Sequence, residues 1–147
     1  MAYRVFSQTA ELDPVSLVRN SSRFFEAELE ILAQPSAGSL RVRISSARRG
    51  YAGDFELTVR PKTSADDDDA RLAEERSRAG GMAALARRCG HIWQITPDAE
   101  SPSLLNLCAI LASVALGPVM PDDASALFGV RGAMERVEAL VGRSLAR

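Results

Sequence analysis

The sequence predicts an α+β fold built as a single domain over residues 1–147. Three observations carry that expectation. Three successive segments alternate apolar and polar residues, two turn clusters separate them, and apolar residues recur at helical spacing on either side. The chain has 147 residues, 46% hydrophobic and 25% charged, enough apolar material for a core without disulfides or metal. The expected order is an N-terminal helix, a three-stranded antiparallel meander, a central helix, a fourth strand and two C-terminal helices. Helices are expected to cover one face of the sheet.

Each element has a local cause. Residues 2–7 read as a short strand ahead of the first helix, with Tyr3 and Val5 on one face. Asp13-Pro14 opens that helix, because Asp caps well and Pro at the first helical position gives up no hydrogen bond. Residues 24–33 fit two periodicities. Val18, Ser22, Phe25, Leu29 and Leu32 keep helical spacing, whereas Phe25, Ala27, Leu29 and Ile31 alternate with Glu26, Glu28 and Glu30. The residues C-terminal to this segment decide for a strand. After the turn cluster Pro35-Ser36-Ala37-Gly38-Ser39, Leu40, Val42 and Ile44 alternate with Arg41, Arg43 and Ser45. After a second turn at Arg49-Gly50-Tyr51-Ala52-Gly53, Phe55, Leu57 and Val59 alternate with Glu56, Thr58 and Arg60.

Register follows from arithmetic. If opposed residues sum to 73 in the first hairpin, Leu29 faces Ile44, Ile31 faces Val42 and Glu30 faces Arg43, with Leu32 opposite Arg41 as the one misfit. If they sum to 99 in the second, Ile44 faces Phe55, Val42 faces Leu57 and Arg43 faces Glu56.

The central helix begins with an acidic first turn at Asp66–Asp69. Its expected inner face is Leu72, Ala79, Met82, Ala83, Ala86 and Cys89, with a kink or break at Gly80-Gly81 and an end at Gly90. His91–Thr96 is the fourth strand, stopped by Pro97. Leu104–Gly117 is the most apolar stretch, too short at fourteen residues for a membrane span of ~18, and reads as a buried helix. Asp122 or Asp123 caps the last helix, whose stripe is Val130, Met134, Val137, Val141 and Leu145.

Composition narrows the functional classes. Formal net charge is −1, which argues against a surface that is one phosphate-binding field. Lys62 is the only lysine, and 23 alanines accompany seventeen arginines, the usage of a GC-rich bacterial genome. The first residues contain no secretory apolar run, and two cysteines make no disulfide framework, so the expected compartment is the cytoplasm. No nucleotide, phosphate-loop, nucleophile-elbow or zinc-protease motif occurs, and no cofactor is expected. His91 is the only histidine, so one chain cannot supply a His-pair metal site. A calcium loop counted from Asp66 finds Arg71 and Ser77 where Gly and Glu belong. Cys89 and His91 read as a helix end entering a strand rather than as a nucleophilic dyad.

Arg41, Arg43, Arg48, Arg49, Arg60 and Lys62 cluster on the meander. The order helix, three strands, helix is similar to that of the double-stranded-RNA-binding domain. That family carries basic residues at the start of its second helix, where this chain has four aspartates, so no nucleic-acid partner is expected.

Elimination leaves a non-enzymatic, cytoplasmic protein-interaction or regulatory module that self-associates as a homodimer. Its expected docking surfaces are the stripe Val130, Met134, Val137, Val141 and Leu145 and an open sheet edge. An alternative is a small ligand-binding or catalytic domain with a pocket at His91, Trp93 and Asn106, since Asn106 in so apolar a helix needs a partner. A third expectation comes from element order and size, which resemble those of small acidic secretion chaperones that act as dimers on a disordered partner segment.

Overall fold

A computed structural model describes residues 2–78, 80–97 and 99–145. The elements are β1 (Tyr3–Ser7), α1 (Pro14–Phe24), β2 (Glu28–Ser36), β3 (Ser39–Ser46), β4 (Tyr51–Pro61), α2 (Ser64–Ser77), α3 (Met82–Arg87), β5 (His91–Thr96), α4 (Pro102–Ala115), β6 (Val119–Met120) and α5 (Val130–Leu145). The fold is α+β, as expected, around an antiparallel sheet in the order β2-β3-β4-β5-β1-β6.

The strand expected at residues 2–7 forms as β1 ahead of α1. In contrast to an order that begins at the N-terminal helix, it lies inside the sheet between β5 and β6. A sixth strand, β6, was not expected. The break expected at Gly80-Gly81 divides the central helix into α2 and α3 around Gly81, whose φ of 91° suits glycine. Ala79, assigned to the inner face, lies outside the described residues.

The meander forms as the alternation requires. From Glu28 to Ile31 the first hairpin keeps the sum of 73, so Glu30 faces Arg43 and Ile31 faces Val42. Beyond Ile31 the ladder slips, and Ala33 rather than Leu32 faces Arg41. A bulge thus sets the smaller Ala33 in place of Leu32 opposite Arg41. The second hairpin is corrected by two residues. Its pairs sum to 97, with Arg43 opposite Asp54 and Arg41 opposite Glu56. The turn is tighter than expected, residues 47–50 with Gly50 at φ 73°, and β4 starts at Tyr51. A shift of two preserves parity, so Phe55 and Leu57 still face the core.

Two apolar layers enclose the sheet. On one face Val5, Leu29, Val42, Ile44, Leu57, Trp93 and Ile95 pack with α1, α4 and α5. On the other, at the β5–β1–β6 end, Phe6, Ile92 and Met120 pack with α2 and α3. Helices therefore cover both faces at that end, not one. The α4 helix starts where Ser101 accepts a hydrogen bond from Leu104 N at 3.1 Å, with Pro102 in the first turn. Its residues Ser103 to Ala112 are all buried. It ends at Leu116, in the left-handed region at φ 58°. Gly117 follows, where a Cβ would sit 1.9 Å from the Phe6 carbonyl oxygen, so only glycine lets the chain pass that close to β1. Among the described residues no helix is long and apolar enough to cross a membrane.

The last helix begins later than expected. Asp123 accepts from Ser125 N at 3.0 Å in a turn, Phe128 bridges Val119 at the sheet edge, and α5 opens at Val130. Its stripe turns inward. Val137 is fully buried, and Val130, Met134 and Val141 pack on the same core; the Leu145 side chain lies outside the described residues.

The α2 helix docks by charge. The expected solvated start and the inner position of Leu72 are both corrected: Leu72 is 40% exposed, while Asp66, Ala70 and Ala73 are buried. Asp66 is only 2% exposed. Arg60 grips both its oxygens, at 2.7 and 2.8 Å, and Arg4 reaches Oδ1 at 3.0 Å and Asp69 at 2.9 Å. Thr63 donates to it from backbone (2.8 Å) and hydroxyl (3.0 Å) in a capping box. Burial alone would raise the Asp66 pKa, but the hydrogen bonds from Arg60, Thr63 and Arg4 outweigh it and hold the carboxyl well below the usual range. The folded-state pKa lies below the unfolded one. This stability is therefore complete above the unfolded value of about 3.9 and is lost as pH falls through the folded value. Asp66→Asn should lower unfolding free energy by about 3 kcal/mol at pH 7. Chemical denaturation across pH checks this: the gap to wild type should narrow as pH drops below about 4, and a pH-independent gap would contradict it.

Candidate functional site

The structure does not bring His91, Trp93 and Asn106 together in an open pocket. Trp93 lies between Val59 and Val5 in the sheet and is 1% exposed. Asn106 is fully buried and donates from Nδ2 to the Tyr51 hydroxyl at the opposite end of β4. Tyr51 and Val59 are eight residues apart on β4, about 27 Å along the strand. Only His91 of the three reaches solvent, at the start of β5 opposite Ser7 and Pro61.

Asn106 is better described as an internal latch. Its partner Tyr51 is half-buried, and burial raises the Tyr51 pKa while the hydrogen bond from Asn106 pulls the other way. The neighbouring turn is tied down as well. Arg49 pairs with Glu138 of α5 at 2.7 Å and donates to the Phe25 carbonyl at 3.2 Å, and Ser46 accepts from Arg49 N at 3.2 Å. This network joins the meander to α4, α5 and the end of α1.

Cys89 is buried, and burial raises its thiol pKa. Its Sγ donates to the carbonyls of Leu85 and Leu116, not to His91. Among the described residues no group of three or more His, Cys, Asp or Glu is placed to hold a metal ion. Five of the six residues of the basic cluster enter ion pairs, Arg43 with Asp54, Arg48 with Glu26, Arg49 with Glu138, Arg60 with Asp66 and Lys62 with Asp67, while Arg41 lies opposite Ala33 and Glu56 in the sheet.

The least satisfied surface lies at the other end of the sheet. Strand β2 is an edge, whereas the opposite edge, β6, is two residues long and covered by the Phe128 bridge. Beside β2 runs α1, opened by Asp13, which caps Val15 N at 3.0 Å. Leu17 and Ser21 of α1 point into the core, which turns Val15 (61% exposed) and Val18 (41%) outward. Of the six large apolar side chains exposed among the described residues, four lie on α1 or β2: Val15, Val18, Phe24 and Leu32.

Linked depressions follow this edge. An almost wholly apolar one lies among Pro14, Val15, Val18, Arg19 and Ile31. It shares Val18 with a more polar one beside Ser22, Glu28 and Glu30. Thus α1 runs antiparallel to β2, its N-terminal half beside Ile31 and Ser22 beside Glu28. Glu11, Arg19, Arg23, Glu28 and Glu30 border the face, and none makes an ion pair among the described residues. In the sequence Val15 and Val18 read as the start of the first helix's apolar stripe, whereas the structure buries Leu17 and Ser21 and turns that pair outward. Apolar spacing on a helix names the stripe but not whether it faces the core or the sheet's flank.

The latch yields a test. Tyr51→Phe leaves the buried Asn106 amide without its partner and should lower unfolding free energy by about 2 kcal/mol. Adding Asn106→Leu removes the orphaned group and should recover most of that loss in urea titrations; a neutral Tyr51→Phe would contradict the assignment. No family model, curated protein or solved structure matches the chain.

Proposed function

We propose that the chain is a non-enzymatic protein-interaction module of the cytoplasm that self-associates through the face made by α1 and β2. The observation that carries this reading is the exposed apolar pair Val15 and Val18 on the flank of α1, lining with Ile31 a groove beside the open sheet edge. Open edges are liabilities unless paired, covered or charged. This one is partly guarded, by Glu28, Glu30, a bulge and Pro35, yet keeps an apolar groove beside it. A reducing compartment suits the two unpaired, buried thiols, Cys89 and Cys108. The stripe on α5 supports no docking role, because Val137 is core.

Val18→Asp separates association from folding. Val18 is exposed, so the melting temperature should fall by no more than a few degrees, since helix propensity costs only about 0.5 kcal/mol. Light scattering should show the wild type above the 15.8 kDa of one chain and the variant at that mass. A wild type that stays at one chain at every concentration would overturn the reading, as would an undiminished assembly of the variant.

A further inference from the structure

We infer that a second copy of this chain occupies the α1–β2 face, extending the sheet through β2 and setting the two α1 helices antiparallel above the seam. This rests on the self-association reading and adds its geometry. A two-fold axis normal to the sheet continues the sheet through β2 while keeping both copies of α1 on one face, and it makes β2 pair antiparallel with its copy.

Charge favours this arrangement. The approach to α1 is acidic, at Glu11 and Asp13, and its second half is basic, at Arg19 and Arg23. An antiparallel copy lays Glu11 and Asp13 of one chain beside Arg23 of the other, twice per dimer, around a centre formed by Val15 and Val18. The β2 strand obeys the same logic. Glu28 and Glu30 sit in its first half, and residues 31–36 carry no charge. Centres at Leu29 or Glu30 would set Glu against Glu. A centre near Ile31, where the regular ladder ends at the bulge, turns Glu28 and Glu30 of each copy toward the uncharged residues 32–36 of the other. A foreign strand would draw no advantage from this internal symmetry of charge.

Charge reversal tests it. Arg23 and Glu11 are exposed, so the fold should survive reversal of either, as unfolding curves will verify. By sedimentation equilibrium, Arg23→Glu and Glu11→Arg should each weaken the dimer about tenfold. The double variant R23E/E11R should recover to within about threefold of wild type. A dimer that ignores both reversals, or a double variant no tighter than the weaker single, overturns this geometry and leaves self-association standing. A wild type that is monomeric throughout overturns both.

Discussion

The arrangement turns on α4, a helix with no polar face. Ten consecutive residues of it are buried, and a helix apolar on all sides must be covered on all sides. The sheet lies beneath it, with α4 touching β1, β3, β4 and β6, while α1 and α5 close its flanks. This requirement turns the apolar stripe of α5 inward, and it seals Asn106, which then takes Tyr51 as its partner. It also explains what stays uncovered. The main contacts of α4 lie on β1, β3, β4 and β6, and α1 is the helix packed chiefly on β2, with Val15 and Val18 on its outer flank left partly exposed.

The opposite face is held by different chemistry. The α2 helix offers little apolar surface, chiefly Ala70 and Ala73, and its attachment is completed by Asp66 between Arg4 and Arg60. Those arginines come from β1 and β4, strands that flank β5, so one carboxylate ties together two strands and a helix start. Lys62 extends the arrangement to α3 by donating to the carbonyls of Ala86 and Arg87. Buried charge of this kind stabilises only while fully paired, which makes the second layer sensitive to acid in a way the α4 layer is not.

Much of the meander was legible in the residues because strand alternation fixes which side chains are buried. The one mismatch in the first hairpin, Leu32 against Arg41, marked the position where a bulge forms. The second hairpin slipped by two because turn length is weakly encoded in Arg49-Gly50-Tyr51-Ala52-Gly53, and parity survived the slip. Asp66 was not legible as a buried residue. Its neighbours Asp67 to Asp69 make a run that reads as a solvated helix start, and only the Thr63–Asp66 capping pair distinguished it. The grouping of Asn106 with Trp93 and His91 failed for a related reason: apolar periodicity says that α4 is buried, not which way it runs across the sheet. The same limit hid the inward direction of Val137 and the outward direction of Val18.

If copies of the chain meet at the β2 edge, the backbone of that strand must register it. Half of the amides in an edge strand point away from its neighbour and exchange freely unless something pairs with them. Amide hydrogen exchange at residues 28–31, followed over a protein dilution series, is therefore the decisive measurement. A paired edge predicts that the outward β2 amides are protected at high concentration and released on dilution, while β3 and β4 remain protected throughout. Rapid exchange of the outward β2 amides at every concentration would show that no second copy pairs there.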